Sequence, residues 1–284
     1  MAGTILVTGS TGTIGGEVAR QLIAAGVRPR LLVRDPAKAR EFEGKADIVK
    51  GDLGDAASLE RAMRGVEKLF LVGSGVDGQA LEAKAVDAAK KAGVKHVVKL
   101  SLLGAQDEAI TFARWHRPVE KQLEASGMAW TFLRPVNFMS NMLNNIGSIK
   151  GQGAFYEPTG DGKTSVIDPA DVGAVGVKAL TEPGHEGKAY TLTGPEALSS
   201  AEQAAVLTKA LGREVKFVDV PPEAAKQAMA GTGMPAAYVD ALVDLLAAMK
   251  AGRTATVTDT VQKVTGRKPG TFADWARRHA AAFK

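Results

Sequence analysis

Three glycines, Gly9, Gly12 and Gly15, stand three residues apart in the stretch Val7-Thr8-Gly9-Ser10-Thr11-Gly12-Thr13-Ile14-Gly15-Gly16. An apolar run (Ile5, Leu6, Val7) precedes them, and Ile14, Val18 and Leu22 then recur every four residues. The run reads as a strand and the recurrence as one face of a helix. A strand, a glycine turn and a helix in that order form a device for holding phosphate. Gly9 permits the sharp turn, Gly12 lets backbone approach a pyrophosphate, and Gly15 lets the helix pack close to the strand. The helix N-terminus then presents unpaired N–H groups and a positive dipole end to the anion. The alternative is a tight glycine turn with no ligand. The flanking strand and helix favour the phosphate reading.

A fold of this kind distinguishes NAD from NADP at the end of its second strand, where an acid binds both ribose hydroxyls and an arginine binds a 2′-phosphate. Here Leu31-Leu32-Val33 runs into Arg34-Asp35, with Lys38 four residues past Arg34. The guanidinium fork of Arg34 can grip phosphate and Lys38 can add charge, which predicts NADPH. A one-residue shift would instead make Asp35 a ribose ligand and admit NADH. After the third strand, Asp52 is placed to accept from an adenine amino group with Leu53 against the ring; the alternative is that Asp52 caps the next helix, the role preferred for Asp55. After the fourth strand, Gly73-Ser74-Gly75 offers small residues where a dinucleotide must pass, or else a plain flexible loop.

Reductases of this general fold usually protonate a carbonyl oxygen with a tyrosine whose acidity is raised by a lysine four residues on. This chain has three tyrosines, and Gly160, Gly194 and Leu242 stand four residues after Tyr156, Tyr190 and Tyr238. Where the pair would fall, the chain carries Phe112 and His116. Hydride addition to a simple ketone builds a localised alkoxide that needs a positioned acid or oxyanion donors. A quinone, azo compound or cationic dye delocalises or neutralises the charge, and water can deliver protons later. Such acceptors chiefly require alignment against the nicotinamide. His116 titrates near neutrality when unperturbed and is the one proton-donor candidate, set against a purely structural histidine.

These residues need a scaffold, and the first half supplies one. Strands are predicted at Thr4–Val7, Arg30–Val33, Asp47–Val49, Lys68–Val72, Lys95–Leu100 and Trp130–Leu133, with helices at Ile14–Ala25, Ala57–Met63, Gln79–Ala92 and Pro118–Ala125 between them. That alternation gives βαβ units: an α/β class, Rossmann-like doubly wound parallel sheet. A loop-rich excursion follows from Asn141 to Gly162. Asp168-Pro169 reads as an N-cap and first helical residue, Ser199 and Glu202 as a capping box, and Gly212 as the end of that helix. The rest is mostly helical, too short for a second such sheet, and is expected to cover the substrate. The predicted division is 1–136 with 164–194 for NAD(P) binding, and 137–163 with 195–284 for the smaller substrate-covering part.

The 284 residues contain no cysteine, which excludes disulfides and thiolate metal sites. No apolar run approaches the ~20 residues of a membrane span, and no basic segment followed by an apolar core opens the chain. The expectation is a cytoplasmic protein with no membrane partner. Net charge is +5 overall, arranged as +5 over 1–150, −5 over 151–250 and +5 over 251–284. A positive first part suits an anionic dinucleotide. The basic tail lacks interleaved aromatics and reads as a solvated helix face rather than a nucleic-acid patch.

Taken together these residues resemble the NmrA-like branch of the atypical short-chain dehydrogenase/reductases. The likeness spans nearly the whole chain, through Val7-Thr8-Gly9-Ser10-Thr11-Gly12, Val33 to Ala39, Ala92-Gly93-Val94-Lys95-His96, His116 with Glu120, Ser126-Gly127, Thr131-Phe132-Leu133-Arg134, Gly160 to Lys163 and Gly184 to Lys188. Within the branch it is most similar to NADPH:quinone oxidoreductases, triphenylmethane reductases and flavin-free azoreductases. The resemblance implies that Gly9, Ser10, Thr11, Gly12, Thr13 and Ile14 hold pyrophosphate and that Arg34 holds the 2′-phosphate. It also implies that Gly73, Ser74 and Gly75, with Val136, Asn137 and Phe138, close on the nicotinamide half. Pro135-Val136-Asn137-Phe138 departs from the Asn-Gly or Asn-Ala then aromatic of the quinone reductases, so substrate choice does not transfer. The expected activity is NADPH-dependent hydride transfer to a small conjugated aromatic acceptor, without flavin or metal, with Asn137 as a polar contact and Phe138, Met139 and Met142 as an apolar wall or else ordinary core. The alternative is a non-catalytic NADP(H) sensor that binds a protein partner.

Overall fold

The computed structural model describes residues 3–73 and 75–284. In chain order the elements are β1 (Ile5–Val7), α1 (Thr13–Ala24), β2 (Arg30–Val33), β3 (Asp47–Lys50), α2 (Ala56–Met63), β4 (Lys68–Leu71), α3 (Gly78–Ala92), β5 (His96–Leu100), α4 (Thr111–Glu124) and β6 (Ala129–Pro135). Then come α5 (Ile146–Gln152), β7 (Ala154–Glu157), β8 (Lys163–Thr164), α6 (Pro169–Thr181), β9 (Lys188–Leu192), β10 (Leu198–Ser199), α7 (Ser200–Leu211), β11 (Lys216–Asp219), α8 (Pro222–Ala230), α9 (Ala236–Lys250), α10 (Thr260–Thr265) and α11 (Phe272–His279). Two compact units are formed: one of residues 1–107, 113–134 and 172–190, the other of residues 108–112, 135–171 and 191–284.

Seven strands make one parallel sheet in the order β3-β2-β1-β4-β5-β6-β9. The order reverses between β1 and β4, which is the switch point where such sheets bind ligands. Strand side chains alternate between faces. In the first unit Leu6, Leu32, Leu69, Leu71, Val97 and Phe132 turn to one face and bury Leu59, Met63, Ala85, Val86, Val119 and Leu123 of α2, α3 and α4. On the other face α6 lies close because it has a glycine there: a Cβ on Gly176 would sit 3.2 Å from Phe70 and 3.3 Å from Val18 of α1. Covering on both faces explains why the central strands read as unbroken apolar runs.

The second unit gathers Met139, Met142, Ile149, Phe155, Val166, Leu207, Phe272, Trp275 and Phe283 into its own core. Trp275 is 1% exposed. The capping box read from the sequence is present: Ser199 Oγ accepts from the Glu202 N–H at 3.1 Å and Glu202 Oε2 accepts from the Ser199 N–H at 2.7 Å. Such a cap contributes about 1 kcal/mol. Asp168 caps α6 through the Ala170 N–H at 2.9 Å. The expected loop from Asn141 to Gly162 is instead largely ordered, with a 3-10 turn (Met139–Asn145), α5 and β7. β7 pairs in parallel with β11 across some sixty residues of chain, a pairing that no local signal announces. α4 begins at Thr111, seven residues before the proline expected to open it, and carries Pro118 inside. No helix among the described residues is long and apolar enough to cross a membrane.

Candidate dinucleotide site

The glycine turn joins β1 to α1 and is fixed by one threonine. Thr8 Oγ1 donates to the Val72 carbonyl at 3.0 Å and accepts the Val72 N–H at 2.8 Å, tying the end of β1 to the end of β4. Gly9 then turns back at φ +61°, and the Gly12 N–H closes on the Gly9 carbonyl at 2.9 Å. A left-handed residue there favours glycine, and its hypothetical Cβ would also meet Val72 Cγ1 at 2.6 Å. Gly9, Thr11, Gly12 and Thr13 are exposed and Ile14 is buried, so the turn is open above and anchored below.

Three observations test whether these residues fit a dinucleotide diphosphate. No side chain caps α1 and no acid stands in its first turn, so its first N–H groups and dipole end are open to an anion. Ser10 Oγ is buried within the turn with no hydrogen-bond partner among the described residues. A Cβ on Gly15 would fall 2.3 Å from the Gly9 carbonyl oxygen, so only glycine lets the helix start so near the turn. The residues fit.

At the end of β2, beside Arg34, one oxygen of Asp35 serves as a cap. Asp35 Oδ1 accepts the Ala37 N–H at 3.0 Å and opens a 3-10 turn at Pro36. Asp35 Oδ1 is thereby committed to backbone. Arg34 and Lys38 are exposed, and neither side chain has a hydrogen bond or ion pair among the described residues. Two free cations at the ribose end suit a 2′-phosphate. Asp52 Oδ1 accepts the Gly54 N–H at 2.6 Å and so braces its own turn, with its second oxygen uncommitted; Asp55 caps α2 through the Ala57 N–H at 3.0 Å. Leu53 packs partly against the core of the first unit.

Beyond β4, the Gly73 N–H donates to Glu82 Oε1 at 2.8 Å and Gly75 turns at φ +80°. Ser74, expected between them, lies outside the described residues. Val136, Asn137 and Phe138 belong to the second unit. There Val136 is buried with its N–H on the Leu192 carbonyl at 3.0 Å, while Asn137 and Phe138 are partly exposed and Asn137 Oδ1 accepts from Asn141 Nδ2. Met139 and Met142, expected on an apolar wall, are 1% and 6% exposed inside the core of that unit. Their packing against Ile149, Phe155 and Trp275 accounts for their apolar character. A cavity of about 700 Å³ lies between α2 and α3, where Glu60, Arg64, Lys84, Asp87 and Lys91 mix both charge signs, and no residue expected to bind cofactor lines it.

Two buried ionic groups beneath the carboxyl ends of β5 and β6 escaped the sequence reading. Lys99 Nζ meets Glu82 Oε2 at 2.7 Å, the pair being 0% and 2% exposed, and also contacts His116 Nδ1 at 3.1 Å. Glu120, fully buried, accepts from Ser101 Oγ at 2.7 Å, from Arg134 Nε and Nη2 at 3.0 and 2.8 Å, and from Arg117 Nη1 at 3.1 Å. A lysine within a strand that is otherwise wholly buried was the available signal for the first group.

The sequence pattern of the NmrA-like family matches residues 1–274. The chain belongs to the NmrA-like family. Among curated family relatives, the NAD(P)H azoreductase of Xenophilus azovorans is 48% identical over 282 residues, covering 98% of this chain and 99% of its own. The crystal structure of the NADPH-dependent quinone oxidoreductase of Escherichia coli, complexed with NADPH, superposes with a TM-score of 0.87 at 32% identity, over 97% of this chain and 99% of that one. The triphenylmethane reductase of Citrobacter sp., complexed with NADP(H), gives a TM-score of 0.85 at 26% identity, over 98% and 99%.

Proposed function

We propose that this NmrA-like chain is an NADPH-dependent reductase that delivers hydride directly to a quinone, an azo compound or a similar conjugated aromatic acceptor. One observation carries the reading: an open glycine turn stands with free Arg34 and Lys38 beside it, in a chain with no Tyr-x-x-x-Lys pair. The 48% identity to an azoreductase along the full length and the quinone oxidoreductase fold support it. Residues Gly9 to Ile14 would hold the diphosphate on backbone N–H groups, and Arg34 with Lys38 would hold the 2′-phosphate. Asp52 and Leu53 would meet the adenine and Gly73 and Gly75 the nicotinamide half; in the second unit Asn137 and Phe138 are the proposed contacts to the acceptor. When bound, NADPH supplies the hydride. The protein's part is to hold and orient, since a conjugated acceptor spreads the incoming charge without a phenol at hand.

Mixing the purified protein with NADPH and a panel of quinones, azo dyes and triarylmethane dyes tests this. Acceptor-dependent loss of NADPH absorbance is expected, with little turnover of a simple aliphatic ketone. Tight NADPH binding with no turnover on any conjugated acceptor would replace the reductase with the redox-sensing alternative.

A further inference from the structure

Four polar groups are chained beneath the carboxyl ends of β4 and β5. The Gly73 N–H donates to Glu82 Oε1, and Glu82 Oε2 pairs with Lys99 Nζ. Lys99 Nζ also donates to the Leu100 carbonyl at 2.9 Å and to His116 Nδ1 at 3.1 Å. Its three N–H groups thus have three acceptors, and an ammonium cannot itself accept. His116 Nδ1 must therefore be the acceptor, which puts the proton of the neutral ring on Nε2. Burial first, and then the charge of Lys99, hold His116 well below its ordinary value, so the ring is neutral at neutral pH. Nε2 has no hydrogen-bond partner among the described residues, yet it is not one of the sealed, unpartnered polar atoms, which are Ser10 Oγ and His96 Nδ1. It is an unpartnered N–H on a ring that is only partly buried. Packing alone does not account for such an arrangement, because exchanging a buried ion pair for apolar side chains is often neutral or stabilising.

We propose that His116 is a catalytic hydrogen-bond donor whose Nε2–H meets the acceptor oxygen or nitrogen on which negative charge gathers, and that Lys99, held by Glu82, is the positioning residue that fixes this tautomer. The assignment rests on the reductase reading above. In the balanced reaction the acceptor gains one hydride, with both electrons, from NADPH and one proton from water, and NADP+ remains; His116 keeps its own proton throughout. A neutral imidazole is a competent donor to developing negative charge. The lysine that the Tyr-x-x-x-Lys pattern would place one helical turn on comes here from the adjoining strand. The position one turn on is Glu120, already committed to Arg134, Arg117 and Ser101.

The test combines nitrogen-15 spectra of the histidine rings with turnover of three forms of the full chain: wild type, His116→Phe and His116→Gln. At neutral pH, without NADPH, the signal removed by His116→Gln is expected to be that of a neutral ring protonated at Nε2. In Lys99→Met that signal should move toward mixed tautomers. His116→Phe should bind NADPH within about twofold of wild type but lose roughly 10²-fold in kcat, the effect of removing one donor to developing charge. His116→Gln keeps an N–H and should recover most of that loss. Wild-type turnover should show no titration of His116 across neutral pH. A His116 ring that is doubly protonated or protonated at Nδ1, a His116→Phe variant as fast as wild type, or a His116→Gln variant as slow as His116→Phe each overturns the assignment. If wild type binds NADPH and reduces no acceptor, the reductase reading itself falls, and the ring spectra then show whether the Lys99-fixed tautomer exists without it.

Discussion

Gly15→Ala should cost both fold stability and cofactor affinity, whereas Gly12→Ala should cost affinity alone. A Cβ on Gly15 would lie 2.3 Å from the Gly9 carbonyl oxygen, 2.6 Å from its carbon and 2.7 Å from the Thr8 carbonyl oxygen. All three are backbone atoms, so no side chain can swing away. Either α1 retreats from β1 or the turn opens, and an overpacked contact of this kind costs about 1–3 kcal/mol. The displaced amides no longer converge on a diphosphate, and the loss in NADPH affinity should be on the order of 10²-fold, equivalent to about 2.7 kcal/mol. Gly12 is different. Its nearest neighbour to a new Cβ is the Gly9 carbonyl oxygen at 3.3 Å, and its φ of −100° suits any residue. The methyl would project into the open face of the turn, where a diphosphate must come against backbone. Urea denaturation with NADPH titration of both variants separates the two effects. A Gly15→Ala protein of unaltered stability and affinity would show that the turn and the helix are not joined as described.

The second large effect concerns Glu120. Its carboxylate is fully buried and holds Arg134, itself only 12% exposed, through two hydrogen bonds. Glu120→Ala leaves that guanidinium unpaired in the interior and strips Ser101 and Arg117 of an acceptor. Loss of one partner from such a pair costs about 3–5 kcal/mol. Burial by itself would raise the Glu120 carboxyl, but hydrogen bonds from Arg134, Ser101 and Arg117 overcome it and hold the group below the ordinary glutamate value. A depressed carboxyl stabilises the fold above its unfolded value, about 4.3, and that stability is lost as pH falls through the lower folded value. The wild type should therefore lose stability on acidification below about pH 4, and Glu120→Gln, which cannot titrate, should lack that part of the slope. Chemical denaturation across acidic pH gives both curves. Coincident slopes would mean that Glu120 is not the charged hub described.

Most of the first unit is legible in its residues because each of its central strands is an apolar run between helical repeats. β9 is the exception. Four of its five residues are exposed or half-buried and only Leu192 is sealed, so it presents neither an apolar run nor alternation. α4 was half-visible: Pro118 looks like a helix start, yet it lies well inside, and the first N–H of the helix is accepted by Asp244, far off in the chain. Asp35-Pro36 was within reach, since the same pair at Asp168-Pro169 reads correctly as a cap followed by a first helical residue. The glycine turn, by contrast, announces itself because its constraints are local: a positive φ and one close approach, both within seven residues. Beyond the lysine in the buried strand β5, the ionic groups at Lys99 and Glu120 left no local signal, because each is assembled from three or four elements far apart in the chain. Met139 and Met142 left both readings open for a related reason: an apolar residue reads the same whether it faces a ligand or a core.

On the proposed reading, the first unit receives NADPH at the glycine turn, with its 2′-phosphate on Arg34 and Lys38. Calorimetric titration of the folded wild type and of Arg34→Ala, each with NADPH and with NADH, tests it most directly. Wild type is expected to bind NADPH roughly ten- to a hundredfold more tightly than NADH, a preference of about 1.4–2.7 kcal/mol, and Arg34→Ala to lose most of this preference while its affinity for NADH stays the same. Well-folded protein that takes up neither nucleotide, or that prefers NADH, would contradict it.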